Sequence, residues 1–232
     1  MQQKTKLFSF LFFIVFIIQL FAESRDLVGL RLFSKPLIVI MLMLWLYSSG
    51  NIRNRFNARI FIGLGFALAG DVLLMLQGNN ASFFIYGLIA FLLCHLFYIA
   101  AFNVDRKADQ PAKNPFFLWA IVVFGTFCAA LFFYLQPHLG GLQFPVLVYA
   151  IIISIMAIMA VSRYAKVNLL SFEIIFYGAL FFLFSDSMLA YNKFVEPLSH
   201  SGVIIMSSYM LAQYLIVYGT VVRKQNGVHG SA

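Results

Sequence analysis

The chain is 232 residues long, 62% hydrophobic and only 10% charged, with a mean hydropathy of +0.92. No soluble domain hides that much apolar surface, which excludes a soluble enzyme and leaves a protein that crosses the bilayer several times. A formal net charge of +8 raises nucleic acid as a partner, and the placement of that charge argues against it.

In chain order, apolar segments run over 7–22, 32–48, 58–76, 81–102, 116–135, 142–162, 169–191 and 202–222. Segments of about 20 residues match the hydrocarbon thickness of a bilayer. The expected fold is therefore all-α, a polytopic membrane protein with eight transmembrane helices. Residues 1–224 are expected to form one domain, and 225–232 a short polar tail. The first segment follows lysines as a signal peptide would, but Leu20-Phe21-Ala22 offers no small residue at the third position before a cleavage point. It is read as a retained, rather short first span. Cys94 and Cys128 both fall within spans and read as small core residues.

Eight spans put the N-terminus, alternate loops and the C-terminus on one side. That side carries Lys4, Lys6, Arg53, Arg55, Arg59, Arg106, Lys107, Lys113, Arg163, Lys166, Arg223 and Lys224. The opposite side carries only Arg25, Arg31, Lys35 and Lys193. This is the positive-inside pattern, and it places both termini in the cytoplasm. The basic excess is a topology signal, so the partner it implies is the lipid bilayer and no nucleic acid.

Two acids interrupt the apolar runs. Asp71 lies in Phe66-Ala-Leu-Ala-Gly-Asp-Val-Leu-Leu-Met-Leu76, and Asp186 in Leu180-Phe-Phe-Leu-Phe-Ser-Asp-Ser-Met-Leu-Ala190. An ionisable group at such a position costs roughly 2.5–3.5 kcal/mol even on lenient insertion scales, and it usually faces a protein interior or a wet cavity. Both segments run in the same direction, and each acid sits five residues before its segment's end. The two carboxyls are therefore expected at similar depth in the outer half, roughly 8 Å below the helix ends. One of a pair in low dielectric can hold a proton while the other holds charge, the arrangement that general acid–base chemistry uses. The structural alternative is a pair of aspartates that merely bond neighbouring helices.

These segments also carry a possible repeat. Gly63, Phe66, Leu68, Asp71 and Leu74 recur at an offset of 115 as Gly178, Phe181, Leu183, Asp186 and Leu189, and Gly87 and Gly202 share that offset. Four spans separate the copies, so both would run in parallel.

Other polar positions are fewer. Lys35-Pro36 begins the second span on the outer side, where Lys35 is either an interfacial anchor or a phosphate ligand. Asn192 and Lys193 close the seventh span on that side. His95 and Tyr98 share a face of the fourth span, nearer the cytoplasmic end than the aspartates, and either pack in the core or line the far end of a pocket. Gln213 reads as inter-helical glue. Ser185 flanks Asp186 without an evident His partner, so it gives no support to covalent serine catalysis. No metal cluster appears, which argues against a zinc site.

Ser34-Lys35-Pro36-Leu37, Gly70-Asp71-Val72-Leu73-Leu74-Met75-Leu76, Gly87-Leu88-Ile89-Ala90-Phe91 with His95-Leu96-Phe97-Tyr98, Phe184-Ser185-Asp186-Ser187, and Tyr209-Met210-Leu211-Ala212-Gln213 occur in that order. With this set the chain resembles the YhhN/TMEM86 family of integral membrane lysoplasmalogenases, from the second span to the eighth. The resemblance implies hydrolysis of the sn-1 vinyl ether of a lysophospholipid to a fatty aldehyde and a glycerophospho-base. It implies Asp71 and Asp186 as acid and base, with Lys35, His95, Tyr98, Ser185 and Asn192 around the substrate. No cofactor or metal is called for, because protonation at carbon, water addition and hemiacetal collapse need only carboxyl groups. Oligomeric state is left open. The competing class is a proton- or cation-coupled transporter using the same aspartates. A non-catalytic lipid-binding scaffold is a third.

Overall fold

A computed structural model describes residues 2–49, 52–78, 80, 82–107 and 113–225. Among the described residues, eight helices are long and apolar enough to cross a membrane. They are α1 (Gln2–Ser24), α2 (Val28–Ser48), α3 (Arg55–Met75), α4 (Ser82–Arg106), α5 (Phe117–Leu135), α6 (Gln143–Val161), α7 (Leu169–Phe194) and α8 (Ser201–Val221). No strand occurs among the described residues, and a single isolated bridge joins Val167 to Gln225. The expected polar tail otherwise lies outside the described residues.

The spans match the apolar runs, with two differences. α1 is not short: it covers 23 residues and buries Phe12, Gln19 and Ala22 against the bundle. α2 starts at Val28, ahead of Lys35-Pro36, so Pro36 lies inside the helix and Lys35 stands two turns into it. Pro36 lies beyond the first turn, so it removes one backbone hydrogen bond and crowds the carbonyl of Leu32.

The two halves pack alike. α3 with α4 and α7 with α8 form the closest helix pairs, α1 joins α2 as α5 joins α6, and α4 meets α6 as α2 meets α8. This is the arrangement that the 115-residue offset implies. Close approach in both pairs depends on glycine. A Cβ at Gly63 would fall 2.5 Å from the Tyr98 ring, and one at Gly178 would fall 3.1 Å from the Ala212 carbonyl.

At the ends where α4, α6 and α8 finish, charges are locked together. Asp105 is fully buried and takes Arg163 Nε at 2.8 Å and Arg223 Nε at 2.9 Å, with a second bond from Arg223 Nη2. Arg163, also fully buried, reaches the Ser171 hydroxyl at 3.0 Å, and Ser171 in turn donates to the Gly219 carbonyl at 2.8 Å. Phe56 and Phe102 cover the Arg163 guanidinium at 5.3 and 5.5 Å. Burial pulls the Arg163 pKa below its ordinary value and Asp105 counters that pull.

Asp105→Ala leaves two cations facing each other in a dry site and is expected to destabilise the fold by about 3–5 kcal/mol. Thermal unfolding in detergent measures it. Gly178→Val should cost about 1–3 kcal/mol in the same assay by overpacking α7 against α8.

Candidate active site

α3 and α7 bring Asp71 and Asp186 to one cavity of about 320 Å³, whose other walls come from α1, α2, α4 and α8. The cavity opens at the ends where α1 finishes and α2 and α8 begin. Apolar side chains such as Leu74, Phe91, Leu189 and Met206 form much of the wall. The helices are long because their apolar runs are unbroken. The carboxyls point inward because lipid offers no partner for them.

The two acids have different company. Asp71, 1% exposed, has both oxygens engaged: Lys35 Nζ stands 3.4 Å from Oδ1, and the Tyr209 hydroxyl donates to Oδ2 at 2.7 Å. Asp186 uses one oxygen. Tyr149 donates its hydroxyl to Oδ2 at 2.5 Å, and His95 Nε2 stands 3.6 Å from the same atom. Oδ1 of Asp186 has no hydrogen-bond partner among the described residues. The geometry thus gives one carboxylate that is ion-paired and doubly bonded, and one whose free oxygen can carry a proton.

A second polar layer lies behind. The Tyr98 hydroxyl donates to Gln213 Oε1 at 2.6 Å, and Gln213 Nε2 reaches the Tyr209 hydroxyl at 3.4 Å. Gln213 is therefore glue, and it also steadies the phenol on Asp71. His95 is fully buried, with Phe182 edge-on at 4.6 Å and Tyr149 at 5.5 Å, and neither ring nitrogen makes a hydrogen bond. Two unsatisfied nitrogens in a buried ring are costly, and the carboxyl of Asp186 is the polar group beside them.

Several sequence expectations change here. Lys35 is 14% exposed and turned onto Asp71, so it is neither a lipid-facing anchor nor free for a phosphate. His95 lies at the level of Asp186, not deeper, with Nε2 3.6 Å from Oδ2. It supports the acid from behind and does not line the cavity. Tyr98 holds Gln213 instead of a ligand. Ser185 does line the cavity, but its hydroxyl is spent on the Ile205 carbonyl at 2.9 Å. Asn192 closes the turn after α7 by accepting the Leu198 N–H at 2.8 Å, and Lys193 lies over the Phe84 ring at 4.6 Å. Neither belongs to the cavity.

Tyr149 and Tyr209 were not among the expected site residues. Tyr209 carried a usable signal, since it stands four residues before Gln213 and shares its helix face. Tyr149 carried none, being one of 11 tyrosines in an aromatic-rich chain. The counterpart of the main cavity on the other half, beside Asp186 and Tyr149, is a void of only about 30 Å³ closed by Phe84, Leu88 and Val146. A larger apolar cleft of about 660 Å³ lies between α5 and α7 and contains neither acid. Among the described residues no group of three His, Cys, Asp or Glu side chains could hold a metal ion.

An apolar bundle with two partnered carboxyls on one cavity marks the class as a multi-pass membrane protein. The chain belongs to the YhhN family, whose profile matches residues 30–220. It is 31% identical over 221 residues to the human lysoplasmalogenase TMEM86A, covering 93% of this chain and 88% of that protein. The Bos taurus lysoplasmalogenase TMEM86A is 28% identical over 219 residues, with 90% and 84% covered. The lysoplasmalogenase of Mycobacterium bovis is 33% identical over 138 residues, covering 59% of this chain and 50% of that protein. No solved structure matches.

Lys35→Met should cost about 3–5 kcal/mol by removing the only cation paired with a buried carboxylate among the described residues of this cavity. Adding Asp71→Asn should then recover most of that loss. A double-mutant cycle by thermal unfolding reads the coupling.

Proposed function

We propose that the chain is a lysoplasmalogenase, hydrolysing the sn-1 vinyl ether of a lysophospholipid within the membrane, with Asp186 as acid and Asp71 as base. The observation that carries this reading is the unequal pair of carboxyls on one cavity, and the named relatives support the reaction class. The transporter alternative gains no support from those relatives. The positive-inside count supports cytoplasmic termini, which puts the cavity mouth at the opposite face. Residues 1–224 act as one transmembrane unit in this reading.

The chemistry balances on these two groups alone. The proton on Asp186 passes to the outer vinyl carbon, and the ether oxygen stabilises the resulting cation. Asp71, held charged beside Lys35, faces that cation and takes a proton from the attacking water. The hemiacetal then collapses: Asp71 returns its proton to the departing glycerol oxygen, and the hemiacetal hydroxyl gives its own to Asp186. Fatty aldehyde and glycerophospho-base leave, and both acids are restored. Tyr149 and Tyr209 hold the carboxyls in place. His95 backs the Asp186 carboxyl as it moves between its neutral and charged forms. Val28 and Leu32 line the cavity and are also exposed on α2, giving the alkenyl chain an apolar exit to the bilayer.

Purified protein in detergent is expected to release aldehyde from a lysoplasmalogen. Asp71→Asn and Asp186→Asn should each cut turnover about 10²–10⁴-fold. Full turnover by either variant would overturn the scheme. Turnover should also fall several-fold in D₂O, since carbon protonation is the hard step.

A further inference from the structure

We propose that the mouth of the cavity is a zwitterion subsite, in which Arg31 takes the phosphate of the substrate headgroup and Glu23 takes its amine. This rests on the lysoplasmalogenase reading and says which headgroup that site prefers.

Two cations line the cavity, Lys35 and Arg31. Lys35 lies deeper, against the catalytic Asp71, so a phosphate at the mouth falls to the other. Arg31 sits four residues earlier on α2, on the same face and one turn closer to the mouth. One turn is about 5.4 Å, a rise that the glycerol backbone spans between its sn-1 oxygen and its phosphate. Nη1 of Arg31 donates to Glu23 Oε2 at 3.1 Å and Nη2 to Asp26 Oδ1 at 2.6 Å. Those bonds use two of the five guanidinium N–H groups and leave donors for a phosphate, whose geometry the fork suits.

Glu23 is the third acid of the cavity, and the catalytic scheme does not use it. Its side chain is 11% exposed, against 84% for Asp26, so Glu23 turns to the cavity and Asp26 to the surroundings. Gln19 Nε2 donates to Glu23 Oε1 at 2.9 Å, and the Ser34 hydroxyl holds Gln19 Oε1 at 2.5 Å. Across the mouth, Gly202 admits this carboxylate: a Cβ there would stand 2.7 Å from Glu23 Oε2. Read from the depth of the cavity outward, the paired carboxyls come first, and Arg31 and Glu23 stand side by side at the mouth. A lysoplasmalogen read from its vinyl ether outward presents the labile bond, a phosphate and an amine.

The test uses the full chain in detergent and three substrates with one alkenyl chain: alkenylglycerol, alkenylglycerophosphate and alkenylglycerophosphoethanolamine. Ratios of kcat/KM within one preparation do not depend on how much of it is folded. Arg31→Gln should lower the phosphate-to-glycerol ratio about 10–100-fold, the strength of a bond to a charged group, and Arg31→Lys should restore part of it. Glu23→Gln should lower the ethanolamine-to-phosphate ratio about 10-fold. Arg31→Gln that slows all three substrates equally would overturn the subsite and make Arg31 a latch between α1 and α2. Aldehyde from none of the three by wild type would instead overturn the lysoplasmalogenase reading, and the subsite with it.

Discussion

A carboxyl group buried in an apolar helix bundle must find donors inside the protein, because lipid supplies none. That constraint organises the molecule. Asp71 on α3 is met by Lys35 from α2 and Tyr209 from α8, and Asp186 on α7 by Tyr149 from α6 and His95 from α4. Asp71 is completed by a helix of its own half and a helix of the other, so the halves must dock before that carboxyl is satisfied, whereas the hydrogen bond to Asp186 comes from its own half. Glycine at 63 and 178 lets the closest pairs approach far enough for those short side chains to meet.

The opposite end of the bundle solves a similar problem with a different result. Asp105, Arg163 and Arg223 saturate one another beneath aromatic covers. Around Asp186, by contrast, one oxygen and both His95 nitrogens remain without hydrogen bonds. Saturated polar networks fix a fold, and incompletely satisfied ones leave groups free to exchange protons. The bundle is thus tied at one end and chemically available at the other.

Much of this was legible in the sequence. Helix number and position followed from apolar runs of membrane length, and the two acids stood out because the other charges in those runs, Lys35, Arg59 and Glu173, lie near the starts of the runs. Partner assignment was not legible, for a geometric reason. Lys35 looked interfacial because Pro36 resembles a helix start, whereas the helix begins at Val28 and carries the lysine inward. His95 looked deeper than Asp186 because depth was counted along each helix alone, whereas the two side chains meet at 3.6 Å. Tyr149 could not be told from other tyrosines, since its role depends on which helix faces α7. Asn192 was placed by residue type at a helix end, where its amide is more useful to the Leu198 backbone.

The two-fold frame is broken where chemistry is concerned. Lys35 on one side corresponds to Ala150 on the other, and a cavity of about 320 Å³ corresponds to a void of about 30 Å³. Two identical halves would offer a lysolipid two equivalent docking poses, each blocking the other and each with its acid and base interchanged. Unequal halves remove that degeneracy: one pose fits, and its polarity decides which carboxyl meets carbon and which meets water. Directionality here is a property of the difference between the halves.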